Sequence, residues 1–364
     1  MALNLSHVLS LHVGARTFWR AFCLFHMTSR CLYPVSTQSI GDPGDVVISA
    51  SIAYDYLMSF GGSLADHIIP DKTHVISVSF LVESLHRYRG GVGGNICYNL
   101  ALLGVRPTLL GAVGSDFGPY RQEMIELGID VSQVLEFDDQ MTASAFMMAD
   151  MKSNQIASFY PGPSEQAQAI DAKTLGDAVP YALLGATGPE TMRKHTRAFG
   201  AARSKLIYDP AFQIILLSKD DLIEGIDAAW AVIGNDYEFA MMERKTGLTV
   251  DAIADRCELV VVTFGEQGSE LRLNGACVRV PPAPTRGVKD PTGAGDAYRA
   301  GLIKGLLLEQ DLEIVGRIAG LTAVYAVENV GPQEHQHTPG EFTTRFDESF
   351  PDMKGAVTAA MFTR

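Results

Sequence analysis

Gly293 and Gly295, in the stretch Asp290-Pro291-Thr292-Gly293-Ala294-Gly295-Asp296, bracket one small residue, so the backbone there can bend freely and come close to a ligand. Ala297, Ala300, Ile303 and Leu307 follow at helical spacing, and a buried helix is expected to begin at about Ala294. A glycine turn that opens a helix points unpaired N–H groups and the positive end of a dipole outward, a setting suited to phosphate. A carboxylate at Asp296 would compete with such an anion unless its task is to take a proton from a hydroxyl attacking a phosphoryl group. The plain alternative is an aspartate capping a helix behind a glycine-rich loop.

Four other stretches hold residues of comparable chemical interest. Arg89-Gly90-Gly91-Val92-Gly93-Gly94-Asn95 leads into Ile96, Leu100 and Leu103 at helical spacing, and Asn95 offers both a donor and an acceptor. This is not a G-x-G-x-x-G dinucleotide fingerprint, and no G-x-x-x-x-G-K-[ST] occurs, which excludes a P-loop enzyme on this motif. Asn235 and Glu238 lie three apart at a helix start, where an amide and a carboxylate can hold magnesium through water or simply cap the helix. Thr263, Gly265 and Gly268 form a loop that lets backbone approach a nucleotide, or an ordinary hairpin turn. Asp55 follows the first strand, where it can accept hydrogen bonds from a pair of ligand hydroxyls or serve as a turn aspartate.

The elements that must position these residues alternate. Val46–Ala53 reads as a buried strand. Further strands are expected at Thr108–Val113, Ala182–Ala186, Leu206–Asp209, Ala229–Ile233 and Leu259–Phe264. Helices are expected at Tyr120–Leu127, Met192–Ala202, Asp220–Gly225, Phe239–Thr246 and Val250–Arg256. Such alternation predicts an α/β fold with a doubly wound, mostly parallel sheet flanked by helices. Half-exposed strands over 74–81, Thr142–Ala149 and Gln155–Tyr160, the last two joined by a turn at 151–154, break the alternation. They predict a small β-sheet lid drawn from about 55–90 and 140–162. Its far face would expose apolar residues unless a second subunit covered it, hence an expected homodimer through the lid sheet.

The formal charge of −13 over 364 residues argues against nucleic acid as a partner. Five scattered cysteines without a C-x-x-C pair fit a reducing, cytoplasmic setting. No apolar run reaches the roughly 18 residues of a membrane span. Residues 1–44 contain no acid before Asp42 and read as a disordered or transit-like extension, with organelle targeting open. A single domain over 45–345 and a tail over 346–364 complete the expected organisation.

Taken together, Gly90-Gly91-x-x-x-Asn95, Asn235-x-x-Glu238 and Asp290 to Asp296 resemble the ribokinase-type (PfkB) family of carbohydrate and nucleoside kinases, from about Val46 to about Arg345. Within it, Ser51–Met58, Ser77–Val82, Gln155–Gly162 and Gly331–Glu334 are similar to bacterial adenosine kinases of actinobacterial type. The resemblance implies ATP-dependent phosphorylation of the 5′-hydroxyl of adenosine, or of another sugar or nucleoside, with Mg2+ and in some relatives a monovalent cation. It implies Asp296 as the base and Gly293, Ala294 and Gly295 as amide donors to the transferring group. Asp55, Asn95 and Gly91 would hold the ribose, Phe146 and Phe159 would flank the purine, and Ser51 and Gln213 would lie near it. Asn235 and Glu238 would organise Mg-ATP, the metal held by Glu238 through water, and Thr263, Gly265 and Gly268 would line the nucleotide site. The apolar run Ala211–Leu216 and the Gly331-Pro332 pair depart from that pattern.

Overall fold

The computed structural model describes residues 44–67, 78–152 and 154–363; the expected extension, Gly44 apart, lies outside them. The chain runs β1 (Val46–Ser49), β2 (Ala53–Phe60), β3 (Ser84–Gly90), α1 (Val92–Leu102), β4 (Pro107–Gly114), α2 (Gly118–Glu126), β5 (Val134–Phe137), β6 (Ala143–Asp150) and β7 (Gln155–Tyr160). It continues through α3 (Ala172–Gly176), β8 (Tyr181–Leu184), α4 (Pro189–Gly200), β9 (Lys205–Tyr208), α5 (Lys219–Ala228), β10 (Ala231–Asn235), α6 (Asp236–Thr246) and α7 (Val250–Ala254). The last elements are β11 (Leu259–Thr263), β12 (Ser269–Leu273), β13 (Ala276–Val280), α8 (Ala294–Leu307), α9 (Leu312–Val327) and α10 (Pro339–Ser349).

Nine strands form one sheet in the order β13-β12-β11-β10-β9-β8-β1-β4-β5, parallel except where β12 joins β11 and β13. Alternate residues of one strand feed opposite faces. Val46 and Ile48 enter the core beneath α1 and α8, and Val47 enters the core on the α4 and α5 side. The chain builds outward from β1 to β4 and β5, then returns to β1's other flank with β8. That reversal is a topological switch point, and such sheets bind ligands beyond the carboxyl ends of the strands there.

A second, four-stranded sheet, β3-β2-β6-β7, is the lid. Its register sorts residues into rows. Tyr88, Asp55, Ala145 and Phe159 pair across the four strands and share one face. Arg87, Tyr56, Phe146 and Ser158 form the neighbouring row on the opposite face.

Three expectations are revised. The apolar run Val46–Ala53 is not one strand: β1 ends at Ser49, and Asp55 lies inside lid strand β2 rather than in a turn. Ala50 and Ile52 remain buried, so hydrophobicity runs unbroken through a point where the chain leaves the sheet and Ser51 pairs with Ala186 and Gly93. The strand expected over 74–81 lies partly outside the described residues, and 78–81 are not strand. The edge strand is the polar Ser84–Gly90 instead, its composition typical of an exposed sheet edge. Finally, residues 346–362 are not a tail. Phe346, Phe350, Val357 and Phe362 pack with Leu103, Ile318, Leu321 and Phe342 in a third core cluster.

Candidate active site

Gly293 caps α8 in the left-handed region at φ +79°, with no side chain capping the helix. A Cβ at this position would lie 2.6 Å from Cβ of Pro332, so both conformation and space call for glycine. Asp290 ties the turn down, accepting from the Thr292 N–H at 2.9 Å and the Gly331 N–H at 3.0 Å. Burial pushes its carboxyl up, but these hydrogen bonds outweigh it and hold the pKa below the usual value. Gly331-Pro332 therefore buttresses this turn. The Ala294 N–H closes that turn on the Pro291 carbonyl at 3.2 Å, which removes Ala294 from the expected anion donors. Among the described residues, the Gly293, Gly295 and Asp296 amides have no acceptor in the protein. They point from a helix N-terminus, where an anion is favoured.

Asp296, half-buried in the first turn of α8, accepts from Asn95 Nδ2 at 2.8 Å. Burial pushes its carboxyl up to about 7 against the pull of Arg299 and Asn95, with Asp209 and Asp55 adding to the rise. A carboxyl poised there suits a general base at neutral pH. Asn95 itself is positioned by the close approach of α1. A Cβ on Gly94 would meet the Tyr120 hydroxyl at 2.1 Å, and one on Gly91 (φ +84°) would meet Ala53 N at 2.5 Å. Asp55 faces the same space from the lid, its carboxyl packed against Gly90 and raised to about 6 by burial and then by Asp290.

Two residues that the sequence reading did not single out hold the site together. Arg299, one turn past Asp296, grips Asp209 with two bonds, from Nε to Oδ2 and from Nη2 to Oδ1, the latter at 2.6 Å. Its Nη2 also lies 3.8 Å from Glu238, and a Cβ on Gly295 would fall 2.7 Å from Nη1. Burial alone would lower the arginine pKa, but Asp209 reverses this and fixes the positive charge beneath the anion turn. The available signal was a charged residue inside the apolar spacing of Ala297, Ala300 and Ile303.

Asn235 and Glu238 form a capping box, Asn235 Oδ1 accepting from the Glu238 N–H at 2.7 Å and Glu238 Oε2 from the Asn235 N–H at 2.8 Å. Burial, then Asp209, raises the Glu238 carboxyl, while Arg299 lowers it. One carboxylate oxygen is thus committed to the helix, leaving Oε1 as the atom that could meet a metal-bound water. Among the described residues no group of three or more His, Cys, Asp or Glu side chains is arranged as a metal cage. Thr263 ends β11 half-buried, and Gly265 and Gly268, both at positive φ, form the turn into antiparallel β12.

The lid register divides the expected purine pair. Phe159 shares the face of Asp55, and its ring lies 6.3 Å from that of Phe212 on the body. Phe146 is on the other face, stacked on Tyr56 at 4.8 Å, and so does not flank a base beside Phe159. The Ser51 hydroxyl accepts from the Val92 N–H at 3.2 Å, a task at the start of α1. Gln213 is buried in the turn after Asp209-Pro210, and its Oε1 has no hydrogen-bond partner among the described residues.

A ribokinase-like α/β body with an acid-bearing helix start under a small second sheet defines the class: a phosphotransferase with an alcohol acceptor. Residues 55–339 match the pfkB family of carbohydrate kinases, and the chain belongs to that family. A nucleoside kinase of Methanothermobacter thermautotrophicus is 31% identical over 80% of this chain and 95% of its own length. The structure of Burkholderia thailandensis nucleoside kinase in complex with inosine is 34% identical with a TM-score of 0.76, covering 84% of this chain and 98% of that one. Methanocaldococcus jannaschii nucleoside kinase, an archaeal member of the ribokinase family, is 25% identical in its solved structure with a TM-score of 0.74, covering 85% of this chain and 100% of that one. A further solved structure of the Burkholderia thailandensis enzyme, 35% identical, is in complex with ADP-inosine. No helix of the described residues is long and apolar enough to cross a membrane.

Proposed function

We propose that the protein transfers the γ-phosphoryl group of Mg-ATP to the 5′-hydroxyl of a purine nucleoside. The observation that carries this reading is the Asp296 carboxylate beside three backbone amides that no group among the described residues occupies. Asp296 takes the hydroxyl proton, and the amides of Gly293, Gly295 and Asp296 receive the phosphoryl oxygens. Asp55, Asn95 and Gly91 hold the ribose. Glu238 and Asn235 orient the metal-bound nucleotide, for which Thr263, Gly265 and Gly268 form the bed. Glu238, through water, would hold Mg2+, which when bound would offset the charge on the phosphates.

Adenosine, the acceptor read from sequence, is one member of this class. The names of the relatives, one of them solved with inosine, favour a wider choice of base. Phe159 and Phe212 give an apolar edge that a bare sugar would leave unused. Adenosine, inosine, guanosine, ribose and fructose 6-phosphate, each supplied with Mg-ATP, separate the possibilities by ADP release. Faster turnover of ribose than of every nucleoside would overturn the reading. The exposed Leu85, Phe146, Ile156 and Tyr160 lie on the lid face away from Asp55 and support a homodimer through that sheet. Light scattering at working concentration checks this, and a monomeric mass would count against it.

A further inference from the structure

The two ends of the Asn95 amide are alike in size and opposite in chemistry, and what selects the end facing Asp296 lies behind the cleft. Gln333 Nε2 donates to Asn95 Oδ1 at 2.9 Å and to the Tyr120 hydroxyl at 2.5 Å. Tyr120 donates onward to the Gly90 carbonyl at 3.1 Å, at the end of lid strand β3. With Oδ1 committed to Gln333, Asn95 presents its donor, Nδ2, to Asp296. Asn95, Tyr120 and Gln333 are 4%, 2% and 4% exposed, so solvent does not readily replace these partners. A second clamp fastens the segment to α1: His335 Nε2 bonds Asn99 Oδ1 at 2.8 Å, and Asn99 Nδ2 donates to the Asn95 carbonyl at 2.9 Å.

We propose that Gln333, seated by Tyr120, is a positioning residue that locks Asn95 as a donor toward Asp296 and so keeps Asp296 a carboxylate when the acceptor hydroxyl arrives. The inference rests on the reading of Asp296 as the base. With the amide turned, Oδ1 would face Asp296, an arrangement that only the protonated acid satisfies, and a protonated acid cannot take a proton. The other groups that bear on Asp296 electrostatically are Arg299 on its own helix, Asp209 after β9 and Asp55 on the lid. Among the described residues, none of these three hydrogen-bonds the Asn95 amide, whose partners are Asp296 and Gln333.

Three variants of the full chain test this by the dependence of kcat on pH. Gln333→Met frees the Asn95 amide without adding charge, and its acid limb should move upward by about half a unit. Gln333→Glu draws Nδ2 away from Asp296 and should move the limb by about one unit or more, the scale of one lost hydrogen bond to a charged acceptor. Tyr120→Phe should move it in the same direction by less. Turnover of each variant should recover at higher pH, a rescue that a merely structural defect would not show. Carbon-13 NMR titration of the Asp296 carboxyl should show the same shifts without turnover. An unmoved limb in Gln333→Met, or a loss equal at every pH, overturns the proposal; if that variant does not fold, Tyr120→Phe decides in the same way. Asp296→Asn separates the layers. Retained turnover there removes the base assignment, whereas a dead Asp296→Asn beside an unmoved Gln333→Met removes the Gln333 role alone.

Discussion

Arg299→Met would leave Asp209 a carboxylate with no solvent-exposed surface and no counter-charge. The two side chains are 7% and 0% exposed, so water cannot replace the bonds that are lost. Removing one partner of a buried pair costs about 3–5 kcal/mol, against a total stability of about 5–15 kcal/mol. The upper half of that range is expected, because Arg299 makes two bonds to Asp209 and also stands 3.8 Å from Glu238. Urea unfolding of the purified variant should show the loss directly, and the thermal midpoint should fall by on the order of 10 °C. Arg299→Lys keeps the charge without the fork and should fall between. Asp209→Leu combined with Arg299→Met should recover most of the deficit, since two apolar replacements leave no orphaned charge. A single-variant loss under about 1 kcal/mol, or a double variant no more stable than Arg299→Met, would refute the account of this pair.

Asp296→Asn should bind Mg-ATP and lose about 10²- to 10⁴-fold in kcat, measured by ADP release. In the wild type, kcat should decline as pH falls through about 7, because the proposed base, Asp296, would work ionised and its pKa is raised to that value. The raised pKa also means that the charged form burdens the folded state above pH 7, a burden relieved as pH falls. Asp296→Asn should therefore resist urea at pH 8 at least as well as the wild type. Phe159→Ala should raise the nucleoside KM by about 2- to 10-fold, the scale of one aromatic contact, while Phe146→Ala leaves KM in place. Deleting residues 346–364 should abolish cooperative unfolding in circular dichroism, because each buried phenylalanine lost costs about 3–5 kcal/mol.

The turn that opens α8 was legible as a turn and a helix start because it is written in consecutive residues, with glycine where φ is positive and an acid in the first helical turn. The strands from β8 to β11 were legible as short apolar runs between helical patterns. What failed depends on distant partners. Alternation marks 142–149 as a strand, but only pairing with β2 and β7 decides that Phe159, and not Phe146, shares the face of Asp55. Arg299 and Asp209 stand far apart in the chain, and neither announces the other. Strands β12 and β13 went unread because Glu270, Arg272 and Arg279 interrupt their apolar positions, charges that the fold pairs with one another. The carboxyl-terminal phenylalanines looked like a tail because their partners, Leu103 just past the end of α1 and Ile318 in α9, stand well before them in the chain.

The rows on the lid make strand length a matter of parity. Adding or deleting one residue within β6 would exchange its two sides, turning Phe146 to the face of Asp55 and Ala145 outward. Changes in steps of two would preserve both surfaces. Anyone grafting this clasp onto another kinase must count residues before choosing them.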